Sequence, residues 1–338
     1  MDVFECPCCG ARIFFRNPAC MACGAALVFD PRGRRFATVE ASQPCANRDA
    51  IGCNWAAAPG GGQGAFCAAC AMTRTSPDRG VDDNDALWAE AEGAKRWVVA
   101  GLMRWGLFTD ADPHAPPVFD MLSESTSAGA AQVTMGHMEG VVTLNVAEAD
   151  PAIREARRAN LAERYRTMTG HVRHELGHLV FERLAQAPGF LDAFRPLFGD
   201  ERADYGAALD AHYANAADGE AAPPEGHLTD YAAAHPHEDW AETFAHHLHL
   251  VDIVDSAARV GLSSPALETA GGGGFDPYAA DDAGTVLNVG GELTIALNHV
   301  NRSMGLADVY PFVLTPPTRE KLGFVHRWLP AAGGGAAP

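Results

Sequence analysis

The residues with the clearest chemical use are His174-Glu175-Leu-Gly-His178, set in an apolar run that continues to Phe181. On a helix, side chains four apart share a face, so both imidazoles can converge on one metal ion. Glu175 lies beside that face and reaches a water in the metal's open position, which places a general base next to a Lewis acid. Zinc is the ion this donor set suits. Leu176, Leu179, Val180 and Leu184 supply an apolar side, and no proline interrupts the chain from about Leu161 to Gln186. The spacing therefore predicts a helix through the pentad.

A third ligand has to come from elsewhere. The short zincin signature needs a glycine three residues and a histidine six residues after His178, but Phe181 and Leu184 stand there. That class is excluded. A later segment, His235-Pro-His-Glu238-Asp-Trp-Ala-Glu242-Thr-Phe-Ala-His246, offers acidic donors on a second predicted helix. Pro236 suits the first turn, and Trp240, Ala241, Phe244, Ala245, Leu248 and Val251 recur at helical spacing. Glu238 and Glu242 then share a face, where one carboxylate can bind the metal and the other can accept the spare N–H of a ligating histidine. Asp239, His235, His237 and His246 also carry donor atoms.

This arrangement resembles the gluzincin metallopeptidases, which pair H-E-x-x-H with a downstream helical Glu and an acidic residue four positions on. The resemblance implies Glu238 as the metal ligand and Glu242 as the residue behind a ligating histidine. It also implies a use for Tyr231, seven residues before Glu238, as a donor to the oxyanion of a tetrahedral intermediate. His246, His247 and His249 are expected to pack or face solvent, because three ligands leave the open position that catalysis needs. His171, on the His174 face, is expected to be a hydrogen-bonded structural histidine.

All nine cysteines precede residue 71. Cys6-Pro-Cys8-Cys9-Gly10 and Cys20-Met-Ala-Cys23-Gly24 form two knuckles whose four thiolates Cys6, Cys9, Cys20 and Cys23 satisfy tetrahedral zinc, with Cys8 surplus. Cys45, Cys53 and the pair Cys67 and Cys70 make a second, less regular set around the glycine-rich loop 59–64. So small a segment is expected to depend on zinc for its folding.

The chain has 25 basic and 43 acidic residues, a formal net charge of -18. Such a surface repels phosphate backbones and anionic membranes, so nucleic acid is not expected as a partner of the whole chain. Through Gly80 there are eight basic against six acidic residues, and two tetrathiolate zinc sites would make that segment negative as well. Protein docking is the better expectation for the ribbons. No apolar run approaches the roughly 18 residues of a membrane span, and the N-terminal residues do not read as a signal peptide. A cytoplasmic location is expected.

The remaining elements must position these groups. Residues 75–84 read as a polar linker, and Ala86 to Leu107 as a long helix. Strands are predicted at Val118–Leu122, Gln132–Gly136 and Val141–Val146, the last two as a hairpin about His137–Gly140. A free edge of that sheet would suit an extended peptide. Further expectations are a helix over Ala152–Ala162, a helix start at Phe198–Tyr205 capped by Asp200, and loops over 216–226 and 260–284. Helices over Gly291–Met304 and Arg319–Leu329 would close the chain. The fold class is α+β: a cysteine-rich zinc-ribbon region over 1–75, a mainly helical zincin-like domain with a small β-sheet over 76–330, and a disordered tail over 331–338.

Assembled in this order, the chain resembles the bacterial family of zinc-binding metallopeptidases with an N-terminal zinc ribbon. The likeness runs from Cys6-Pro-Cys8-Cys9-Gly10 through Gly52-Cys53-Asn-Trp55, the pentad and Gly199-Asp-Glu-Arg-Ala-Asp-Tyr205 to Glu238-Asp-Trp-Ala-Glu242 and Tyr310-Pro-Phe. It implies a peptidase with one catalytic and two structural zinc ions, acting on a peptide or protein. The competing expectation is a non-catalytic protein-binding scaffold with a structural or vestigial central zinc.

Overall fold

The computed structural model describes residues 3–160, 163–215 and 223–338. Chain contacts divide it into two units, residues 1–154 with 167–172 and residues 155–166 with 173–338. Among the described residues no helix is long and apolar enough to cross a membrane.

In the first unit the cysteine knuckles alternate with short antiparallel pairs: β1 (Val3–Glu5) with β2 (Arg12–Phe14), and β3 (Leu27–Asp30) with β4 (Arg35–Thr38). Short helices α1 (Arg48–Ile51) and α2 (Ala68–Ala71) follow. Zinc dependence alone does not describe this region, because it also has a core. Phe15 and Trp55 both pack edge-on or tilted against Phe29, with ring centroids 5.0 and 5.9 Å away. Asn54 donates to the Phe15 carbonyl at 2.6 Å, and Arg48 donates to the carbonyls of Leu27 and Pro18 at 2.8 Å each. Side chains near the second cysteine set thus satisfy backbone acceptors near the first.

Strand β5 (Thr73–Thr75) opens a four-stranded sheet that also contains β6 (Val118–Leu122), β9 (Gly136–Met138) and β10 (Val141–Asn145). Helix α3 (Asn84–Leu102) precedes β6, and the minor strands β7 (Ser125–Thr126) and β8 (Gly129–Ala130) form a separate hairpin. The sheet order is β5-β6-β10-β9, parallel except for the β9–β10 edge hairpin. The predicted hairpin exists with its first strand later than expected. Glu139 and Gly140, at φ 48 and 78, make the turn, because the left-handed region suits two-residue hairpin loops. Val133 and Met135 are only half-buried and lend no strand a core face. A buried Glu92–Lys95 pair at 2.9 Å, with Thr73 donating to Glu92 at 2.5 Å, joins α3 to β5.

Helix α4 is described over Pro151–Asn160; its expected end at Ala162 lies outside the described residues, as does most of the loop expected over 216–226. Helix α5 (Met168–Leu184) carries the pentad. In the second unit follow α6 (Phe190–Phe198), α7 (Tyr205–Asn215), the 25-residue α8 (Pro236–Val260), α9 (Pro265–Ala270), α10 (Ala283–Ser303) and α11 (Pro316–Ala332). Helix α8 is the axis. Trp240 meets Phe181, Phe190, Phe194, Phe198 and Phe324, with ring centroids 5.5 to 6.3 Å apart.

Three expectations change here. The loop over 260–284 contains α9: Ser264 caps it, Pro265 is its first residue, and Leu267 is buried against Val254, Ala257, Val289 and Leu293. Ser-Pro is a helix start here rather than a break. Helix α10 begins eight residues before Gly291, capped by Asp282, and keeps Gly290 in its middle because a Cβ there would sit 3.2 Å from Leu250 of α8. Helix α7 starts at Tyr205, where Asp204 accepts from the Ala207 amide at 3.0 Å. Asp200 instead binds the backbone and guanidinium of Arg202.

Candidate metal centre

Helices α5 and α8 run antiparallel and unusually close beside the pentad. The spacer residue Gly177 allows this, since a Cβ there would lie 3.0 Å from the Ala241 Cα and 3.1 Å from the Phe244 ring. Trp240 donates its indole N–H to the Gly177 carbonyl at 2.8 Å. Farther along, Arg173 of α5 reaches His249 and Asp252 of α8. These contacts fix which residues of α8 face the two histidines.

The facing residue is Glu238. His174 Nε2 lies 3.2 Å from His178 Nε2 and 3.0 Å from Glu238 Oε2, and His178 Nε2 lies 3.6 Å from Glu238 Oε1. Ligands about 2.0 Å from a tetrahedral zinc stand about 3.3 Å apart; the separations of His174 Nε2 from His178 Nε2 and from Oε2 match this, and one ligand atom from each of the three residues lies within 4.8 Å of the others. Glu238 is 1 % exposed, and among the described residues no hydrogen bond reaches its Oε2. A buried carboxylate oxygen left in that condition is costly without a cation. The donor set fits zinc.

The same groups are coupled in charge. Burial opposes ionisation of Glu238, yet His174 and His178 beside it outweigh that and hold the carboxyl far below its usual range. Burial likewise opposes a charged His174, and Glu238 and Glu242 outweigh it, raising that imidazole well above normal. Helix α8 places Glu242 one turn on, 2.8 Å from His174 Nδ1. Its other oxygen accepts from Thr229 at 2.9 Å. The carboxylate thereby fixes which nitrogen of His174 faces the centre.

The remaining candidates are placed as follows. Glu175 is buried, 7 % exposed, one residue after His174 on α5. Tyr231 lies in a 3-10 turn, Tyr231–Ala234, its ring 6.1 Å from that of His174. Burial, then the charge of Glu238, raises its pKa and keeps it a donor. Asp239 pairs with Lys321 at 2.6 Å. His235 caps α8 by accepting from the His237 amide, and the His237 ring packs 4.7 Å from Phe181. His246 contacts the Tyr310 hydroxyl at 2.9 Å, and His171 stands 3.6 Å from buried Glu148. The structure thus brings His174, His178 and Glu238 together and gives the other donors separate partners.

Sequence reasoning missed Tyr205, whose hydroxyl donates to Glu238 Oε1 at 2.6 Å. Its segment reads as an acidic helix start, and nothing in that pattern points at residue 238. Thr229 was missed for the same reason: a lone threonine in a polar loop carries no spacing signal.

Both cysteine sets form tetrathiolate sites. Cys6, Cys9, Cys20 and Cys23 cluster, as do Cys45, Cys53, Cys67 and Cys70. Sulfur separations are 3.8 Å for Cys6–Cys23, 3.7 Å for Cys9–Cys20, and 3.8 Å for Cys53–Cys67 and Cys53–Cys70. Thiolates about 2.3 Å from zinc stand about 3.8 Å apart, whereas a disulfide needs about 2.0 Å. Backbone amides of Cys67 and Cys70 donate to the sulfurs of Cys45 and Cys67. Cys8 is exposed and belongs to neither set.

Comparison with known proteins agrees with this picture. A zinc-ribbon domain family matches residues 3–81, and the family described as "Putative zinc-binding metallo-peptidase" matches residues 84–328. Uncharacterised proteins of Mycobacterium bovis and Mycobacterium tuberculosis are each 42% identical over 338 residues, covering 96% of this chain and 94% of theirs. No solved structure matches the chain. The chain therefore belongs to this zinc-binding metallo-peptidase family and carries a zinc ribbon at its N-terminal end.

Proposed function

We propose that the protein is a zinc metallopeptidase of gluzincin type that hydrolyses peptide bonds, with one catalytic and two structural zinc ions. The observation that carries the proposal is the set of His174, His178 and Glu238, whose ligand atoms lie within 4.8 Å of one another, with Glu175 next to it on α5. Zinc held there supplies Lewis acidity toward a water and the scissile carbonyl. Glu175 takes the proton of the attacking water and passes it to the leaving amine. Tyr231, kept protonated by its surroundings, donates to the carbonyl oxygen as charge develops on it. Glu242 and Thr229 hold His174 in register throughout. The tetrathiolate sites serve a protein partner or a protein substrate, in a reducing compartment such as the cytoplasm, and not nucleic acid.

Digestion of a peptide library by the full chain, beside Glu175→Gln, tests this reading. Cleavage by the wild type and its loss in the variant, at equal zinc content, is the expected result. A zinc-replete wild type that cleaves no more than Glu175→Gln would overturn it in favour of a protein-binding scaffold.

A further inference from the structure

We infer that Tyr205 is a positioning residue for Glu238, its phenol reserving one carboxylate oxygen so that the other is presented to the metal ion. The inference rests on the metal-centre reading above and goes beyond it by assigning the two oxygens different work. Oε1 accepts the Tyr205 hydroxyl at 2.6 Å, a length characteristic of strong bonds to an ionised acceptor. Oε2 lies 3.0 Å from His174 Nε2 and is the oxygen that no hydrogen bond reaches among the described residues. A carboxylate with both oxygens open can bind a metal through one or two of them. A donor fixed on Oε1 favours the first mode and preserves an open position for water.

The surrounding chain is built to deliver this hydroxyl. Gly199, at φ 100, turns the chain out of α6. The Ala203 carbonyl contacts His235 Nε2 at 3.1 Å, which ties the segment to the first turn of α8, one turn before Glu238 closes it. Tyr205 then opens α7, and its ring stands 5.2 Å from that of His235. None of the described side chains of α7 is buried. Besides the half-buried Ala208 and Leu209, the helix makes polar and ring contacts, Tyr205 on Glu238 at one end and His212 beside Tyr231, ring centroids 6.0 Å apart, at the other. Simple packing would need neither a buried acceptor nor a hydroxyl.

The test is the zinc affinity of the central site, read by competition with a chelator on the full chain, with the two tetrathiolate ions as an internal control of folding. Tyr205→Phe keeps the ring and removes only the donor. It is expected to weaken the central site at least tenfold while both ribbon ions stay. In a Glu238→Gln background, the same substitution is expected to have no further effect. A Kd for Tyr205→Phe within twofold of wild type would overturn the proposal, as would an equal loss in both backgrounds, which would mean that the ring acts by packing. A wild type holding two zinc ions in all would defeat the metal-centre reading and this proposal together. Three ions in the wild type with an unchanged affinity in Tyr205→Phe would defeat the phenol's role alone.

Discussion

The indole N–H of Trp240 reaches across to the Gly177 carbonyl at 2.8 Å, joining the spacer of the pentad to the helix that carries the third donor. Gly177 is thus a packing residue with a consequence for chemistry. Gly177→Ala would put a methyl carbon 3.0 Å from the Ala241 Cα, a backbone atom that cannot rotate away. Overpacking costs about 1–3 kcal/mol, against about 1 kcal/mol gained in helix propensity. The net expectation is a lower urea midpoint together with weaker central zinc binding, both measurable on the purified variant. An alanine variant as stable as wild type would show that α5 and α8 can part freely.

Zinc stoichiometry separates the centres. The full chain is expected to hold about three ions by elemental analysis, and His174→Ala with His178→Ala about two. Glu242→Ala should keep three ions at saturating zinc yet bind the central one about 10- to 100-fold more weakly, because it removes the carboxylate behind His174. Equal zinc in the wild type and the double variant would remove the pentad from the list of metal sites.

Cys8 and Cys9 are adjacent and should behave oppositely. Cys8 is exposed and outside the tetrathiolate cluster, whereas Cys9 is 3.7 Å from Cys20 within it. Cys8→Ser is expected to leave both zinc content and thermal stability unchanged. Cys9→Ser should release one ion and expose the aromatic core around Phe29, seen as increased hydrogen exchange over residues 3–58. Loss of zinc from Cys8→Ser would mean that the knuckle uses the other register.

Acid should loosen the second unit before any ligand chemistry is considered. Burial pushes His246 down to about 4, with Arg173 and His174 adding to the effect and Glu242 opposing it, and burial pushes His247 and His249 well below normal. Their unfolded-state value is about 6.5, so the unfolded chain binds more protons across that window, and stability falls as pH drops from about 6.5 toward 4. A shift of that size is worth on the order of 3 kcal/mol for His246. Asp239 acts in the opposite sense: burial holds it at about 6 despite Lys321, so its ionisation removes stability as pH rises from about 4 to 6. Burial also lowers His227, His237 and His326, so the histidines outnumber the aspartate and leave acid destabilisation as the net expectation. Urea midpoints of a His174→Ala, His178→Ala, Glu238→Gln, Glu242→Gln variant at pH 7, 5.5 and 4.5 exclude titration of the central site from the readout. A flat series would contradict the assignment of these histidines as buried and neutral.

The parts legible in the sequence were those in which spacing along one element carries the signal. His174 and His178 are four apart on one helix, Glu238 and Glu242 four apart on another, and the cysteine pairs three apart in turns. Distances between elements left no such mark. That Tyr205 meets Glu238 depends on how the chain turns after α6, and that Thr229 meets Glu242 depends on a loop, neither of which has a period. The strand expected at Gln132–Gly136 begins only at Gly136, because alternation of apolar residues does not by itself supply a core for them to face. Composition misled over 260–284, where a serine-proline pair and consecutive glycines suggested irregular chain but Ser264 and Pro265 in fact start a helix.

Phe15, Phe29 and Trp55 belong to one aromatic core, although the cysteines around them are split between two tetrathiolate sites. Occupancy of one site stabilises the packing that the other needs, so the two ions are linked ligands in the thermodynamic sense. Metallation of the first 75 residues is then expected to be cooperative, steeper than two independent sites would give. At a buffered free-zinc level, a small change in supply would then shift the assembly of this region more sharply than independent sites allow.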